Sequence, residues 1–290
     1  MNTHEEILNS IQNGDTDRHI LKSILPVFLQ GTVEFLDYNS TVKQAFTSAF
    51  VAGGANPVGA EERWNSISSI VAKGISSDLD LKDIEKDLRA YYQPLVDRSQ
   101  REKNQKARTE RCFARVRPLL VGQKIVDFGC GKGLLGEKIQ QTLGLDVVIV
   151  DNIDFNQSSL NLVLADESGR TNLPDKHADT TIVYLVLHHM NDPIKGLEQI
   201  ARITKQRLVI MEGYVEDPVY FYVNKSIDWF FNRVHLGVQM NIPLNFLKVA
   251  QWKFLLEQVG FRVSQVEYLG PDEELAPEHH VLFIAERIHT

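Results

Sequence analysis

The sequence predicts an α/β protein in which a helical N-terminal region precedes a mostly parallel sheet covered by helices. Three observations lead to this prediction. Up to residue 117, apolar residues recur at helical spacing and no convincing strand is seen. From residue 123 onward, short β-rich runs alternate with segments that can form helices. These runs are almost continuously apolar, which is typical of strands buried on both faces of a parallel sheet.

The N-terminal region, residues 1–117, contains several candidate helices. Ile20, Ile24 and Phe28 repeat at helical intervals, and a second set extends to Phe50 before the sequence AGGANP interrupts it. A later stretch, SSDLDLKDIEKDLRAYY, begins with capping residues and keeps a three-to-four spacing. Nothing in this region points to chemistry, so we expect it to cap a site, recognise a ligand or form a homodimer interface.

Seven runs predict strands in the C-terminal region, residues 118–290. They are KIVDF (124–128), DVVIV (146–150), LNLVLA (160–165), TTIVYLVL (180–187), RLVIME (207–212), FRVSQVEYL (261–269) and VLFIAERI (281–288). The last two are joined by too few residues for a helical crossover, so the last strand is predicted to be antiparallel. The expected architecture is a seven-stranded, mostly parallel sheet with an antiparallel last strand.

Composition limits the classes of function. A formal net charge of -7 argues against a surface that coats nucleic acid, so a nucleic-acid partner is not expected. The two cysteines, Cys112 and Cys130, cannot build a disulfide framework and lack the spacing of zinc ligands. We therefore assign no metal and expect a cytoplasmic protein. The sequence shows no signal peptide and no apolar run of membrane-spanning length, so no membrane association is expected.

The segment VDFGCGKGLLG, residues 126–136, predicts a tight turn between a buried strand and a helix. Glycines let the backbone approach a ligand closely, and the helix N-terminus offers free N–H groups. One register, GKGLLG, matches the G-x-G-x-x-G pattern of dinucleotide sites in nicotinamide or flavin enzymes. The other register, DFGCGKG, places Asp127 two residues before the first glycine. A carboxylate repels a pyrophosphate and attracts a ligand that carries an ammonium and a sulfonium, so the second register explains more. The remaining alternative is a structural turn that binds no ligand.

Together with IVDN after the second strand, Asp166 after the third and LVLHHMNDPIKGLEQIARI around the fourth, this turn carries a resemblance. Residues 120–290 resemble a class I S-adenosylmethionine-dependent methyltransferase of the type that acts mainly on small molecules, with its Rossmann-like fold. S-adenosylmethionine is then the implied cofactor. The implied contacts are Asp127, Gly129, Cys130, Gly131 and Gly133 at its methionine part, Asp151 and Asn152 at the ribose, Asp166 and Glu167 at the adenine, and Leu187 and His188 under the sulfonium.

The sequence departs from the family pattern at two places. ITKQ replaces the usual Pro-Gly-Gly turn before the fifth strand, and Lys132 stands where a small hydroxyl residue is common. Neither position touches the geometry of methyl transfer, so neither changes the prediction.

Candidate catalytic residues follow the fourth and fifth strands, because ligands in open α/β sheets bind beyond the carboxyl ends of the strands. His188, His189 and Glu212 are candidates for a general base, which is needed only if the acceptor must lose a proton. The alternatives are that one histidine packs under the cofactor while the other donates to a backbone carbonyl, and that Glu212 caps the next loop.

Residues 214–243 are predicted to form a lid over the acceptor. Aromatic residues flank a polar helical stripe there, as in many small-molecule pockets. The predicted acceptor-binding residues are Tyr214, Asp228, Trp229, Asn232, Arg233 and His235, with Arg233 available for a carboxylate or phosphate. The alternative is that the polar stripe is a solvated helix face.

The stretch 98–117 holds eight Lys or Arg residues against two Glu. It is interpreted as a solvated helix face, as a segment whose Arg98 or Arg101 reaches the cofactor carboxylate, or as an RNA-binding stripe. The predicted function is an S-adenosylmethionine-dependent methyltransferase that acts on an O, N or S atom of a small molecule. The alternatives are a tRNA or rRNA methyltransferase that uses this stretch, and a regulatory protein that binds the cofactor without turnover.

Overall fold

The computed structural model describes residues 16–29, 36–238, 242–271 and 277–288, and in it one seven-stranded sheet runs through the C-terminal part of the chain. The strands are β1 (Lys124–Phe128), β2 (Asp146–Asp151), β3 (Leu162–Leu164), β4 (Ala178–Tyr184), β5 (Thr204–Gly213), β6 (Phe261–Pro271) and β7 (His279–Arg287). Their order in the sheet is β3-β2-β1-β4-β5-β7-β6, and β7 is antiparallel to both of its neighbours. The predicted sheet and its antiparallel last strand are confirmed.

The strand order places a switch point between β1 and β4. The chain runs outward from β1 to β2 and β3, then returns to the other side of β1 to form β4. Ligands of open α/β sheets bind at such a point, beyond the carboxyl ends of the strands. The loops that follow β1 and β4 are therefore the ones that the fold brings to a ligand site.

Helices cover both faces of this sheet because alternate strand residues point to opposite sides. The helices on one face are α5 (Arg98–Val116) and α6 (Leu134–Leu143), which bury Phe113 and Ile139 against Ile125 of β1. The helices on the other face are α7 (Pro193–Ile203) and α9 (Val249–Gln258), which pack on Val126. None of the helices in the described part of the chain has the length and apolar character needed to cross a bilayer.

A second unit of helices has its own core. It contains α1 (Thr16–His19), continued by Ile20–Ile24 and Leu25–Phe28, then α2 (Leu36–Ala52), α3 (Pro57–Ser76), α4 (Leu81–Tyr92), and α8 (Pro218–Trp229), continued by Phe230–His235. The core is aromatic: Phe28 stacks on Trp64 with ring centroids 5.2 Å apart, and Phe46 meets Phe230 edge-on at the same distance. Full burial of each such ring contributes about 1.5–3 kcal/mol.

This helical unit is assembled from two separate parts of the chain. Residues from α8 and from the segment after it, including Trp229, Phe230 and Phe246, belong to the same hydrophobic cluster as the N-terminal helices. The described parts of the segment between β5 and α9, residues 214–238 and 242–248, therefore form a structural part of the helical unit, and they also cover the carboxyl ends of β4 and β5.

The basic helix α5 joins the two units. Phe113 is buried against the sheet, while Asn104 donates to the backbone carbonyl of Ala52 in α2. The Arg115 guanidinium donates to the Tyr184 hydroxyl at 3.0 Å, at the end of β4. A domain boundary at residue 117 stays a prediction, but α5 makes contacts on both sides of it.

Candidate active site

The glycine turn after β1 has the backbone that the sequence predicts. Gly129, Gly131 and Gly133 have φ values of 73°, 52° and 72°, a region that side chains with a Cβ rarely adopt. A Cβ at Gly129 would lie 2.2 Å from a methyl carbon of Val186, so this position excludes any larger residue. A Cβ at Gly131 would meet no atom of the described residues within 4 Å. The turn thus leaves space for a ligand directly over Gly131.

Two carboxylates lie at this turn. Asp127 is buried, and its Oδ2 accepts from the Gly136 N–H at 3.1 Å. Asp151, at the end of β2, accepts from the Gly131 N–H at 2.8 Å and from the Asn152 N–H at 2.8 Å. Burial, together with the nearby Asp151 charge and against the Gly136 hydrogen bond, raises the pKa of Asp127 to about 7. A pair of acids at the turn suits a ligand with a cationic end and opposes a pyrophosphate.

The third predicted acid, Asp166, follows β3 and is exposed. Its Oδ1 accepts from the Ser168 N–H at 2.9 Å, the Ser168 hydroxyl at 2.7 Å and the Arg170 N–H at 3.0 Å. These bonds stabilise the turn that begins at Asp166. These hydrogen bonds, led by that of the Ser168 hydroxyl, lower the pKa of Asp166. Glu167 and Asn152 are also exposed. The three acids lie at the carboxyl ends of β1, β2 and β3, along one edge of the sheet.

At the carboxyl end of β5, Glu212 binds both the His188 ring and the backbone just before it. Glu212 is fully buried, and its Oε1 accepts from the N–H groups of Val186 at 3.0 Å and Leu187 at 2.6 Å. Its Oε2 lies 2.6 Å from His188 Nδ1. Because Val186 also abuts Gly129, this carboxylate positions the loop that closes onto the glycine turn.

Asp228, from α8, approaches the two histidines from the helical unit. Its Oδ1 lies 3.7 Å from His188 Nε2 and 3.5 Å from His189 Nε2, and it accepts from the Asn232 side-chain amide at 2.9 Å. We name His188, His189, Glu212 and Asp228 the histidine–carboxylate cluster. All four residues were predicted from the sequence as site residues, and the fold brings them together.

The two histidines of the cluster differ in their electrostatics. Burial lowers the pKa of His188, but the carboxylates of Glu212 and Asp228 outweigh it and raise this pKa to about 10. Burial dominates at His189 and lowers its pKa to about 4, although Asp228 opposes the shift. At neutral pH, therefore, His189 is a neutral imidazole that can bind a cation but is a weak base.

Three other predicted acceptor residues point into the helical unit. The Trp229 indole is fully buried and donates to Glu85 Oε1 at 2.9 Å. The Arg233 guanidinium is paired with Glu85 at 3.0 Å and with Asp17 at 2.9 Å. His235 is also buried, and burial lowers its pKa to about 4. Arg233 is therefore not available to bind an acceptor anion, because its face of the helix packs on α4 and α1.

Tyr214 lies outside the histidine–carboxylate cluster. Its ring meets Tyr268 and His279 at centroid distances of 5.5 Å and 6.1 Å, at the end of the sheet that β6 and β7 form. Its role in acceptor binding stays a prediction.

Two residues that the sequence analysis did not select contact the cluster. The Phe246 ring stacks on the His188 imidazole with centroids 4.7 Å apart and an interplanar angle of 19°. The Asn245 N–H donates to the His188 carbonyl at 3.0 Å, and its side-chain amide donates to the Met190 carbonyl at 2.9 Å. They lie 55 or more residues after the histidines, and no local pattern marks them.

Comparison with known families agrees with this geometry. Residues 88–266 match the family model described as a methyltransferase domain, which is more than half of the chain. The chain belongs to this methyltransferase family. It is an S-adenosylmethionine-dependent methyltransferase with S-adenosylmethionine as its cofactor. A search of curated proteins finds no sequence match.

Solved structures with a similar fold include three that we describe. A chain from the complex of the Haloferax volcanii Trm112 methyltransferase activator with a methyltransferase is 18% identical, covering 65% of this chain and 94% of that one, with a TM-score of 0.49. Magnesium protoporphyrin IX methyltransferase from Synechocystis PCC 6803 is 18% identical, with coverages of 70% and 100% and a TM-score of 0.46. Geranyl diphosphate methyltransferase is 13% identical, with coverages of 63% and 77% and a TM-score of 0.48.

Proposed function

We propose that this methyltransferase transfers the methyl group of S-adenosylmethionine to an O, N or S atom of a small molecule. The observation that carries the proposal is the enclosure of the acceptor end of the site. The histidine–carboxylate cluster lies beyond β4 and β5, next to the glycine turn, yet His188, Glu212 and Asp228 are all at least 95% buried. A site beneath a helical unit suits a small acceptor that enters it better than a structured macromolecule.

The cofactor brings a methyl group activated by a positively charged sulfur. In our proposal the bare backbone at Gly131 receives the methionine part, and the Asp127 carboxylate attracts its ammonium. Asp151 holds the ribose, while Asp166 and the Glu167 backbone hold the adenine. The open space over Gly131 and the paired acids at the turn support this assignment.

The histidine–carboxylate cluster then binds and orients the reacting atom of the acceptor. Methyl transfer is an in-line displacement, and its thioether leaving group needs no proton. Positioning supplies much of the rate, on the order of 7–11 kcal/mol when the geometry is ideal. Glu212 serves this purpose because it fixes both the His188 ring and the loop that lies against Gly129.

The acidic charge balance of the chain favours the small-molecule proposal over RNA methylation, and α5 packs on the methyltransferase fold. Lys138 pairs with Glu110 at 2.8 Å, and Lys132 donates to Gln105 at 2.9 Å. Together with Arg115, these bonds tie part of the basic helix to the methyltransferase fold. With a net charge of -7, the chain has little electrostatic attraction for RNA.

The test is a screen for formation of S-adenosylhomocysteine, measured by mass spectrometry. Purified protein and S-adenosylmethionine are incubated with panels of small thiols, phenols, amines and carboxylic acids, and in parallel with total tRNA and rRNA. We expect product with a small molecule, and a large loss of kcat in Glu212→Gln but not in Glu198→Gln, an exposed glutamate on α7. Product with RNA alone would refute the proposal, and cofactor binding without turnover would favour a regulatory protein.

A further inference from the structure

We propose that His188, His189 and Asp228 form a binding site for one divalent transition-metal ion of the Zn²⁺ type, with Glu212 holding His188 in the ligating orientation. Imidazole nitrogens and a carboxylate are ligands that zinc, iron, cobalt and nickel accept, whereas Mg²⁺ and Ca²⁺ prefer oxygen ligands throughout. One potential ligand atom from each residue lies within 4.8 Å of the others.

The distances in the cluster fit a metal ion better than direct hydrogen bonds. Asp228 Oδ1 lies 3.7 Å from His188 Nε2 and 3.5 Å from His189 Nε2, both beyond the 2.7–3.2 Å of an N–H···O bond. A tetrahedral ion with bonds of about 2.0–2.1 Å keeps its ligand atoms about 3.4 Å apart. The two measured separations are close to that value.

Two buried polar atoms of the cluster have no hydrogen-bond partner among the described residues. They are Asp228 Oδ2 and His189 Nδ1. Buried polar groups are nearly always satisfied, and an orphaned carboxylate oxygen is the more costly of the two. A cation held by the Asp228 carboxylate would satisfy the orphaned Oδ2, whereas His189, ligating through Nε2, would keep its Nδ1 unpaired among the described residues.

Glu212 has the position of an outer-shell partner. Metal-binding histidines usually give their other ring N–H to a carboxylate, which fixes the tautomer and turns the free nitrogen toward the ion. The 2.6 Å contact of His188 Nδ1 with Glu212 Oε2 leaves Nε2 directed at Asp228. Phe246, stacked on the same ring, restricts its rotation. Glu212 and Asp228 also place two carboxylates in a buried cluster; the ion would replace the proton on His188 Nε2, and its two charges would balance both carboxylates.

The role of the ion rests on the proposed function. Three protein ligands leave a fourth position for the reacting atom of a thiol or hydroxyl acceptor, as in catalytic zinc sites. An acceptor held there gives its proton to water more readily. Its electron pair then bonds to the methyl carbon while the carbon–sulfur bond of the cofactor breaks, and the sulfur leaves as a neutral thioether.

The experiment uses the untagged full-length chain after treatment with EDTA. Co²⁺ is titrated and followed by its visible d–d absorption, Zn²⁺ is titrated by calorimetry, and Mg²⁺ is added as a competitor. We expect one Co²⁺ or Zn²⁺ per chain with no displacement by millimolar Mg²⁺. His189→Ala removes a ligand without losing a side-chain hydrogen bond, so it should fold and bind roughly 100-fold more weakly or worse. Asp228→Asn should bind as weakly, and Glu212→Gln should lose about 10–100-fold.

His177→Ala is the matched control, because His177 lies before β4 and outside the cluster, and it should bind like the wild type. Equal binding by the wild type and His189→Ala, or displacement by Mg²⁺, would overturn the metal site. The screen for S-adenosylhomocysteine with small molecules is repeated on the same EDTA-treated samples. Product formed by a protein that binds no metal would refute the metal site and leave the proposed function standing, whereas metal binding without product from any small molecule would refute the proposed function and leave the metal site standing.

Discussion

The glycine turn and the histidine–carboxylate cluster lie side by side at one edge of the sheet but are built in different ways. The turn is largely backbone, taken from one short stretch, and its Gly131 donates to Asp151, 20 residues further along the chain. The cluster consists of side chains from three segments, after β4, at the end of β5 and on α8. The turn is open, whereas the cluster is buried.

This difference has a consequence for stability. The turn needs its own glycines, the strands beside it and the loop after β4, whose Val186 lies against Gly129. The cluster is complete only when α8 docks, and α8 is held by the helical unit through Trp229, Phe230 and Arg233. Substitutions in the helical unit should therefore disturb the histidine–carboxylate cluster, where we propose that the acceptor binds. Binding of S-adenosylmethionine at the glycine turn should be retained.

The largest effect is expected at Glu85, which anchors α8 to the helical unit. Glu85 is 1% exposed and accepts from the Trp229 indole and the Arg233 guanidinium. Glu85→Ala leaves the buried Arg233 without its main partner, and we expect a loss of about 3–5 kcal/mol in the free energy of unfolding by urea.

The control for this change is Glu61→Ala. Glu61 pairs with Lys43 at 2.7 Å, but both side chains are at least one-third exposed, so the loss should not exceed about 1 kcal/mol. Equal losses in the two variants would show that α8 does not depend on Glu85.

A smaller effect is expected at the glycine turn itself. Gly129→Ala must place a Cβ 2.2 Å from Val186 at a φ of 73°, which adds overpacking to backbone strain. We expect a loss of about 2–4 kcal/mol in stability, together with weaker binding of S-adenosylmethionine, measured by calorimetry.

Gly144→Ala separates these two causes. Gly144 has a φ of 67°, but its Cβ would meet no described atom within 4 Å, and it lies at the far end of α6. This variant should lose about 1 kcal/mol and bind the cofactor normally. A Gly129→Ala variant that behaves in the same way would mean that the contact with Val186 has no cost.

The smallest predicted effect is a pH dependence of cofactor affinity. Burial raises the pKa of Asp127 to about 7, so below this pH the carboxyl is protonated and no longer attracts an ammonium. The affinity for S-adenosylmethionine should fall as the pH falls through 7 and be about tenfold weaker at pH 6 than its high-pH limit. Calorimetry between pH 5.5 and 8.5 measures it.

Asp127→Asn provides the comparison for that profile. The amide oxygen can still accept from Gly136, but it does not titrate, so the affinity of the variant should be weak and nearly independent of pH in the range around 7. A wild-type profile as flat as that of the variant would contradict the role proposed for Asp127.

The sequence by itself determined the features that depend on near neighbours. The alternation of apolar runs and helical segments predicted the seven strands, and the short link before β7 predicted its reversed direction. The spacing of Asp127 and the glycines predicted the turn, because backbone conformation at each glycine follows from its missing Cβ and not from distant contacts.

Tertiary structure alone decided which face of residues 218–235 meets which partner. Helical periodicity placed Asp228, Asn232 and His235 in one polar stripe, but it could not tell that Asp228 turns to the histidines while His235 is buried beside Tyr92. Nor could it show that Arg233 is satisfied by Glu85, 148 residues earlier. These contacts are set by the packing of α8 on the N-terminal helices. That packing depends on the shapes of side chains that are far apart in the sequence and meet only when the chain has folded.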